Sequence, residues 1–105
     1  MRIHVAIATV NRARLLAQVV DRLSDQTRQP DGVVVVATCA TDVIGLEAVR
    51  RPPHILLSEK GLCRQRNCAL DQLHGNSDVA LFIDDDFVPH NRFVEEVERA
   101  LLSDP

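Results

Sequence analysis

Val33-Val34-Val35-Val36-Ala37 is an apolar run, β-branched up to its last residue and interrupted by no polar side chain. A strand with one wet face alternates apolar and polar residues. A run without alternation suits a strand covered on both faces, as in a parallel sheet flanked by helices. Just upstream, Gln29-Pro30-Asp31-Gly32 is turn chemistry that separates this strand from a helical segment. In that segment Leu15, Leu16, Val19, Val20 and Leu23 recur at the spacing of one helix face, while Arg12, Arg14, Asp21 and Arg22 can stay in water. Asn11 is the expected N-cap, and Arg2 to Thr9 reads as another buried strand. Strand, helix and strand form a βαβ unit, whose crossover should be right-handed.

Downstream the pattern repeats. A polar loop, Thr38-Cys39-Ala40-Thr41-Asp42, leads to a weak helical segment around Leu46 to Arg50, which Arg51-Pro52-Pro53 ends. His54 to Ser58 follows as a short strand, and Leu62 to His74 suits a helix with Leu62, Ala69, Leu70 and Leu73 on one side and Gly75 as its stop. Next comes Val79-Ala80-Leu81-Phe82-Ile83-Asp84-Asp85-Asp86, an apolar strand ending in three consecutive carboxylates. Pro89-His90-Asn91 opens a last helix whose expected buried face is Phe93, Val94, Val97, Ala100 and Leu101. This alternation predicts an α/β fold: a Rossmann-like, open, mostly parallel sheet of about four strands with helices on both faces.

Composition excludes several classes of function. At 105 residues, 46% hydrophobic and 26% charged, the chain is one domain or part of one, with a modest core. A net charge of -3 with dispersed basic residues argues against a charge-driven binder of nucleic acid or of anionic membranes. Three Phe with no Trp or Tyr leave no evident stacking platform for bases or sugar rings. Cys39, Cys63 and Cys68 show no C-x-x-C spacing and read as reduced thiols in a cytoplasmic setting. No apolar stretch approaches the ~20 residues that span a bilayer, so no direct membrane segment is expected.

In open parallel sheets ligands gather at the carboxyl ends of the strands, which here are Thr9 to Arg12, Thr38 to Asp42 and Asp84 to Asp86. Gly61 to Asn67 is a fourth candidate, a helix opening with free backbone N–H groups that carries Arg64 and Arg66. Residues two apart on a helix do not share a face, so one of these arginines is expected to reach a given phosphate. In the acidic stretch, strand alternation puts Asp84 and Asp86 on one side and Asp85 on the other. Like charges this close call for a cation, and carboxylate oxygens are ligands that Mg²⁺ or Mn²⁺ prefers. Taken alone, the triplet also reads as a solvated turn.

Ile7-Ala8-Thr9-Val10-Asn11-Arg12, then Gly61-Leu62-Cys63-Arg64-Gln65-Arg66-Asn67-Cys68-Ala69, then the strand ending in Asp84-Asp85-Asp86 together resemble the nucleotide-binding half of family two glycosyltransferases with the GT-A fold. The resemblance spans nearly the whole chain. It implies a nucleotide-diphospho-sugar donor, a saccharide or other hydroxyl acceptor, and a Mn²⁺ or Mg²⁺ cofactor. By position it implies Thr9, Asn11 and Arg12 beside the nucleoside and Arg66 and Asn67 in the nucleotide pocket. Asp84 and Asp86 match the family's D-x-D, with Asp84 near the ribose or base and on the metal, Asp86 on the metal, and Asp85 facing the sugar. Where the family commonly carries an acid after the second strand, this chain has Ala37, Thr38 and Cys39; Thr38 or Thr41 is the hydroxyl substitute there, and Asp42 matches a later acidic position or caps the next helix.

The family's domain is longer than this chain, so the resemblance implies an N-terminal, truncated part whose acceptor half and catalytic base lie beyond residue 105, and which binds a donor without turning it over. It also implies an unprotected outer edge on the acidic strand, open to self-association. Two other classes stay open: a nucleotidyltransferase, although Thr9-Val10-Asn11-Arg12 lacks the usual glycine, and a non-catalytic nucleotide-binding or interaction domain.

Overall fold

The computed structural model describes residues 1–103. Its order is β1 (Ile3–Ala8), α1 (Ala13–Arg22), β2 (Gly32–Ala37), β3 (His54–Leu57), α2 (Leu62–Leu73), β4 (Val79–Asp84) and α3 (Phe93–Ser103). The four strands form one parallel sheet in the order β3-β2-β1-β4. The chain therefore runs outward from β1 through β2 to β3, then returns to the far side of β1 as β4. With right-handed crossovers, that reversal puts the connecting helices on opposite faces. Accordingly Val5, Ile7 and Val35 pack with Leu16, Val19 and Val20 of α1, whereas Ala6, Val34 and Val36 pack with Ala69 and Leu73 of α2. No described helix is long and apolar enough to cross a membrane.

Several local expectations change. The helix expected around residues 46–50 is replaced by two short 3-10 turns, Ala40–Val43 and Leu46–Ala48, because Gly45 takes a left-handed φ of 96° between them. Asn11 is not the N-cap of α1: it lies in the left-handed region at φ 55°, a conformation Asn tolerates, and Arg12 occupies the cap position without a side-chain bond. Leu15, Leu62 and Leu70 are exposed. On α2 the buried stripe is Gln65, Ala69 and Leu73, a strict four-residue step that leaves both leucines off the face.

On α3, Val94 is fully buried while Leu101 is exposed. This helix is anchored mainly by polar contacts. The Gln26 amide donates to His90 O and accepts from Val94 N–H, satisfying one of the orphan donors of the helix start. Arg28 reaches Glu98 at 2.9 Å, Asp31 at 3.0 Å and the carbonyl of Met1 at 2.8 Å, tying α3 to the beginning of β1. Among the described residues no strand pairs with the outer side of β4.

Candidate functional site at the carboxyl ends of β1, β2 and β4

A sheet whose strand order reverses between β1 and β4 has its ligand crevice where the loops after those two strands diverge. Four of the candidate residues meet there. Thr9, just past β1, is buried and its Oγ1 donates to Asp85 Oδ2 at 2.9 Å. Arg12 Nη1 lies 3.2 Å from Asp85 Oδ1 and 3.4 Å from Asp86 Oδ2. Asp85 is thus held from two sides and only 8% exposed, whereas 58% of the Asp86 side chain remains accessible.

This differs from the strand-period expectation. β4 ends at Asp84, which pairs in register with Ala8, and the Phe87 N–H donates to Asp84 O at 3.1 Å to close a turn. Alternation stops where the turn begins, so Asp85 and Asp86 share one guanidinium instead of pointing to opposite sides. Asp84 is exposed at the strand tip.

The loop after β2 is organised by Asp42. Its Oδ2 accepts from Thr38 N–H at 2.9 Å, Thr38 Oγ1 at 2.7 Å and Cys39 N–H at 3.2 Å, and its Oδ1 accepts from Asn11 N–H at 2.7 Å. Burial alone would push this carboxyl up, yet the bonds from Thr38, Asn11 and Cys39 outweigh it and hold the pKa down at about 2, from an ordinary 3.8. Asp42 therefore faces inward as a fixed anion that joins the loops after β1 and β2. The Thr38 hydroxyl spends its proton on it, keeping only acceptor capacity for a ligand.

The expected helix-opening residues separate onto two flanks. Arg66 stacks over Phe82 of β4, with its guanidinium carbon 5.8 Å from the ring centroid, on the same flank as the acidic turn. Arg64 pairs with Glu59, and Asn67 lines a groove with Leu56, Glu59 and Arg64 beside β3. The structure does not bring Asn67 to the crevice between β1 and β4.

Gln65 was not among the residues singled out by sequence. It is 3% exposed, and its Nε2 donates at 2.9 Å to both Thr9 O and Val36 O, fastening the start of α2 to the ends of β1 and β2. Its signal was its phase with Ala69 and Leu73. A shallow recess of about 220 Å³ sits above it, lined by Ala8, Thr9, Val10, Lys60, Gly61, Leu62 and Gln65. A more enclosed cavity of about 270 Å³, between Val20, Leu23, Pro30, Arg51 and His54, includes the residues opening β2 and β3, at the opposite end of these strands from the acidic turn.

Among the described residues no three His, Cys, Asp or Glu side chains converge into a metal cage. The exposed Asp86 carboxylate and the nearby tip of β4 at Asp84 offer instead one or two hard oxygen donors. Mg²⁺ is commonly held by one or two carboxylates with waters and substrate phosphates, so this donor set fits such an ion weakly by itself and more tightly when a phosphorylated ligand completes its coordination.

Fold and site define a Rossmann-like α/β domain with an acidic turn at the carboxyl ends of its strands. The profile of Glycosyl transferase family 2 matches residues 4–105, almost the entire chain, and the chain belongs to that family, of which it carries the nucleotide-binding half. No curated protein matches it closely. Membership makes glycosyl transfer the general activity and a nucleotide-sugar the general class of donor.

Proposed function

We propose that this chain binds a nucleotide-diphospho-sugar through a divalent metal, Mn²⁺ or Mg²⁺, for transfer of the sugar to a hydroxyl acceptor. The observation that carries the reading is the convergence of Thr9, Arg12, Asp85 and Asp86 at the β1–β4 crevice. Asp86, with Asp84, is the proposed metal-facing pair. The bound metal would neutralise charge on the departing nucleoside diphosphate. Thr9 and Arg12 fix Asp85, which in turn sets the direction of the acidic turn. Arg66, on the same flank, is the proposed partner of a phosphate or of the donor's ribose. Thr38 and the backbone around Asn11 form the nucleoside side of the crevice, held in place by Asp42.

The outer edge of β4, unpaired among the described residues, is on this reading where acceptor-side structure or a second copy would pair. Sedimentation across a concentration series measures the latter.

The deciding experiment is thermal stabilisation by UDP, GDP, CMP and dTDP, each with Mn²⁺ and with EDTA, for the parent chain and Asp86→Ala. A ligand at ~100 times its Kd that binds only the folded state adds ~2.7 kcal/mol. Metal-dependent stabilisation by one nucleotide, lost in Asp86→Ala, is the expected result. Metal-independent binding that survives the substitution would remove the metal from the proposal.

A further inference from the structure

We propose that Arg12 is the resident cation of the acidic turn and competes with the divalent metal for Asp86. The inference rests on the metal reading above and adds a role for this chain's own side chain. A single nitrogen, Nη1, is shared between Asp85 at 3.2 Å and Asp86 at 3.4 Å. The two carboxylates are not equivalent. Asp85 is buried and also receives the Thr9 hydroxyl, so it keeps its place when the arginine leaves. Asp86 is mostly exposed, and Arg12 is its one hydrogen-bond partner among the described residues.

Arg12 itself is 52% exposed, and its Nε and Nη2 bond to nothing among the described residues. A guanidinium has five donors in a planar fork suited to bidentate recognition of oxyanions. Here most of that fork remains free. It can therefore release Asp86 and turn toward a phosphate without losing a well-formed bidentate pair.

The consequence is a coupling between two ligands. In the free chain a unit positive charge sits against the carboxylate that the metal needs, and this repulsion weakens metal binding. A diphosphate that draws Arg12 away also removes the competitor, so metal and diphosphate each favour the other's binding by the same factor.

The test uses Mn²⁺ alone, titrated into the 105-residue chain and followed by the electron paramagnetic resonance signal of the free ion. Removing a unit charge beside a divalent ion at a water-facing site is worth on the order of tenfold in affinity at low salt, less at high salt. Arg12→Gln should bind Mn²⁺ about tenfold more tightly by that estimate, and Arg12→Lys, which keeps the charge, should stay close to the parent. Adding Asp86→Asn to Arg12→Gln should abolish the gain, which locates it at this carboxylate. Far-ultraviolet circular dichroism checks that each variant is folded, and the lysine variant separates charge from fold. If Mn²⁺ binds the parent and is lost in Asp86→Asn, yet Arg12→Gln binds no more tightly, the competition is overturned and the metal site stands. If Mn²⁺ binds none of these chains, with inorganic diphosphate present as well as without it, both are overturned.

Discussion

Asp42→Asn is the substitution whose effect can be worked furthest from the structure. The buried carboxylate accepts four bonds, from Thr38 N–H, Thr38 Oγ1, Cys39 N–H and Asn11 N–H. Its pKa is held at about 2 against 3.8 for an ordinary aspartate. Because the folded value lies below the unfolded one, the stabilisation is fully present above 3.8 and is lost as pH falls through about 2. The difference corresponds to roughly 2–3 kcal/mol. An asparagine of the same shape removes that contribution and turns an NH₂ group onto N–H donors, so the total loss at pH 7 should be about 3 kcal/mol. Urea unfolding of both chains at pH 7, 5, 3.5 and 2.5 measures it. Other carboxylates with lowered pKa values, Asp21 and Asp25 bonded by Arg50, Asp31 by Ile3 N–H and Asp78 by Arg2 N–H, also lose stabilisation in acid. They are common to both chains and cancel in the difference. The gap should close between about pH 4 and pH 2; a gap independent of pH would falsify the assignment of Asp42 as a fixed anion.

Gln65→Glu should leave the fold less stable at pH 7 than at pH 4, since a carboxylate would face the Thr9 and Val36 carbonyls and prefer its proton; equal unfolding midpoints at the two pH values would count against the clamp. Thr9→Val keeps the shape but leaves Asp85 short of one bond, for a loss of about 1–2 kcal/mol by chemical denaturation. Gly32→Ala should cost about 1–3 kcal/mol, because the new Cβ would lie 2.8 Å from His4 Cδ2 and force the ring off its 2.7 Å contact with Ser77 Oγ. A variant as stable as the parent, with the His4–Ser77 bond intact by imidazole NMR, would show that the strand pair can spread.

Much of the fold was legible because hydrophobic period reports burial directly. Val33 to Val36 lack alternation and are part of a central strand covered by α1 on one face and α2 on the other. The errors lie where an apolar residue had nothing to pack on. Leu62 and Leu70 flank the Gln65-Ala69-Leu73 stripe and remain wet, while a polar residue takes the buried position, where its amide donates to Thr9 O and shares Val36 O with the Thr9 N–H. Composition pointed to the leucines; the buried strand-end carbonyls within reach of its amide favour glutamine.

The acidic turn fails for a related reason. A period of two assigns Asp84 and Asp86 to one side only while the chain remains extended, and the bond from Phe87 N–H to Asp84 O ends that condition at the first aspartate. From there the positions of Asp85 and Asp86 follow from their partners, Thr9 and Arg12, which lie more than seventy residues earlier in the chain. Those partners were themselves legible as candidates, since they follow the first strand and strand ends are where parallel sheets bind ligands. What local spacing could not supply was which acid the arginine would meet. That pairing depends on the return of β4 to the far side of β1, so it could be read only once the strand order was known. The same logic gives the site its chemical asymmetry: Asp85, the first acid past the end of β4, is consumed by the scaffold, and Asp86, a residue further out, is left to a cation.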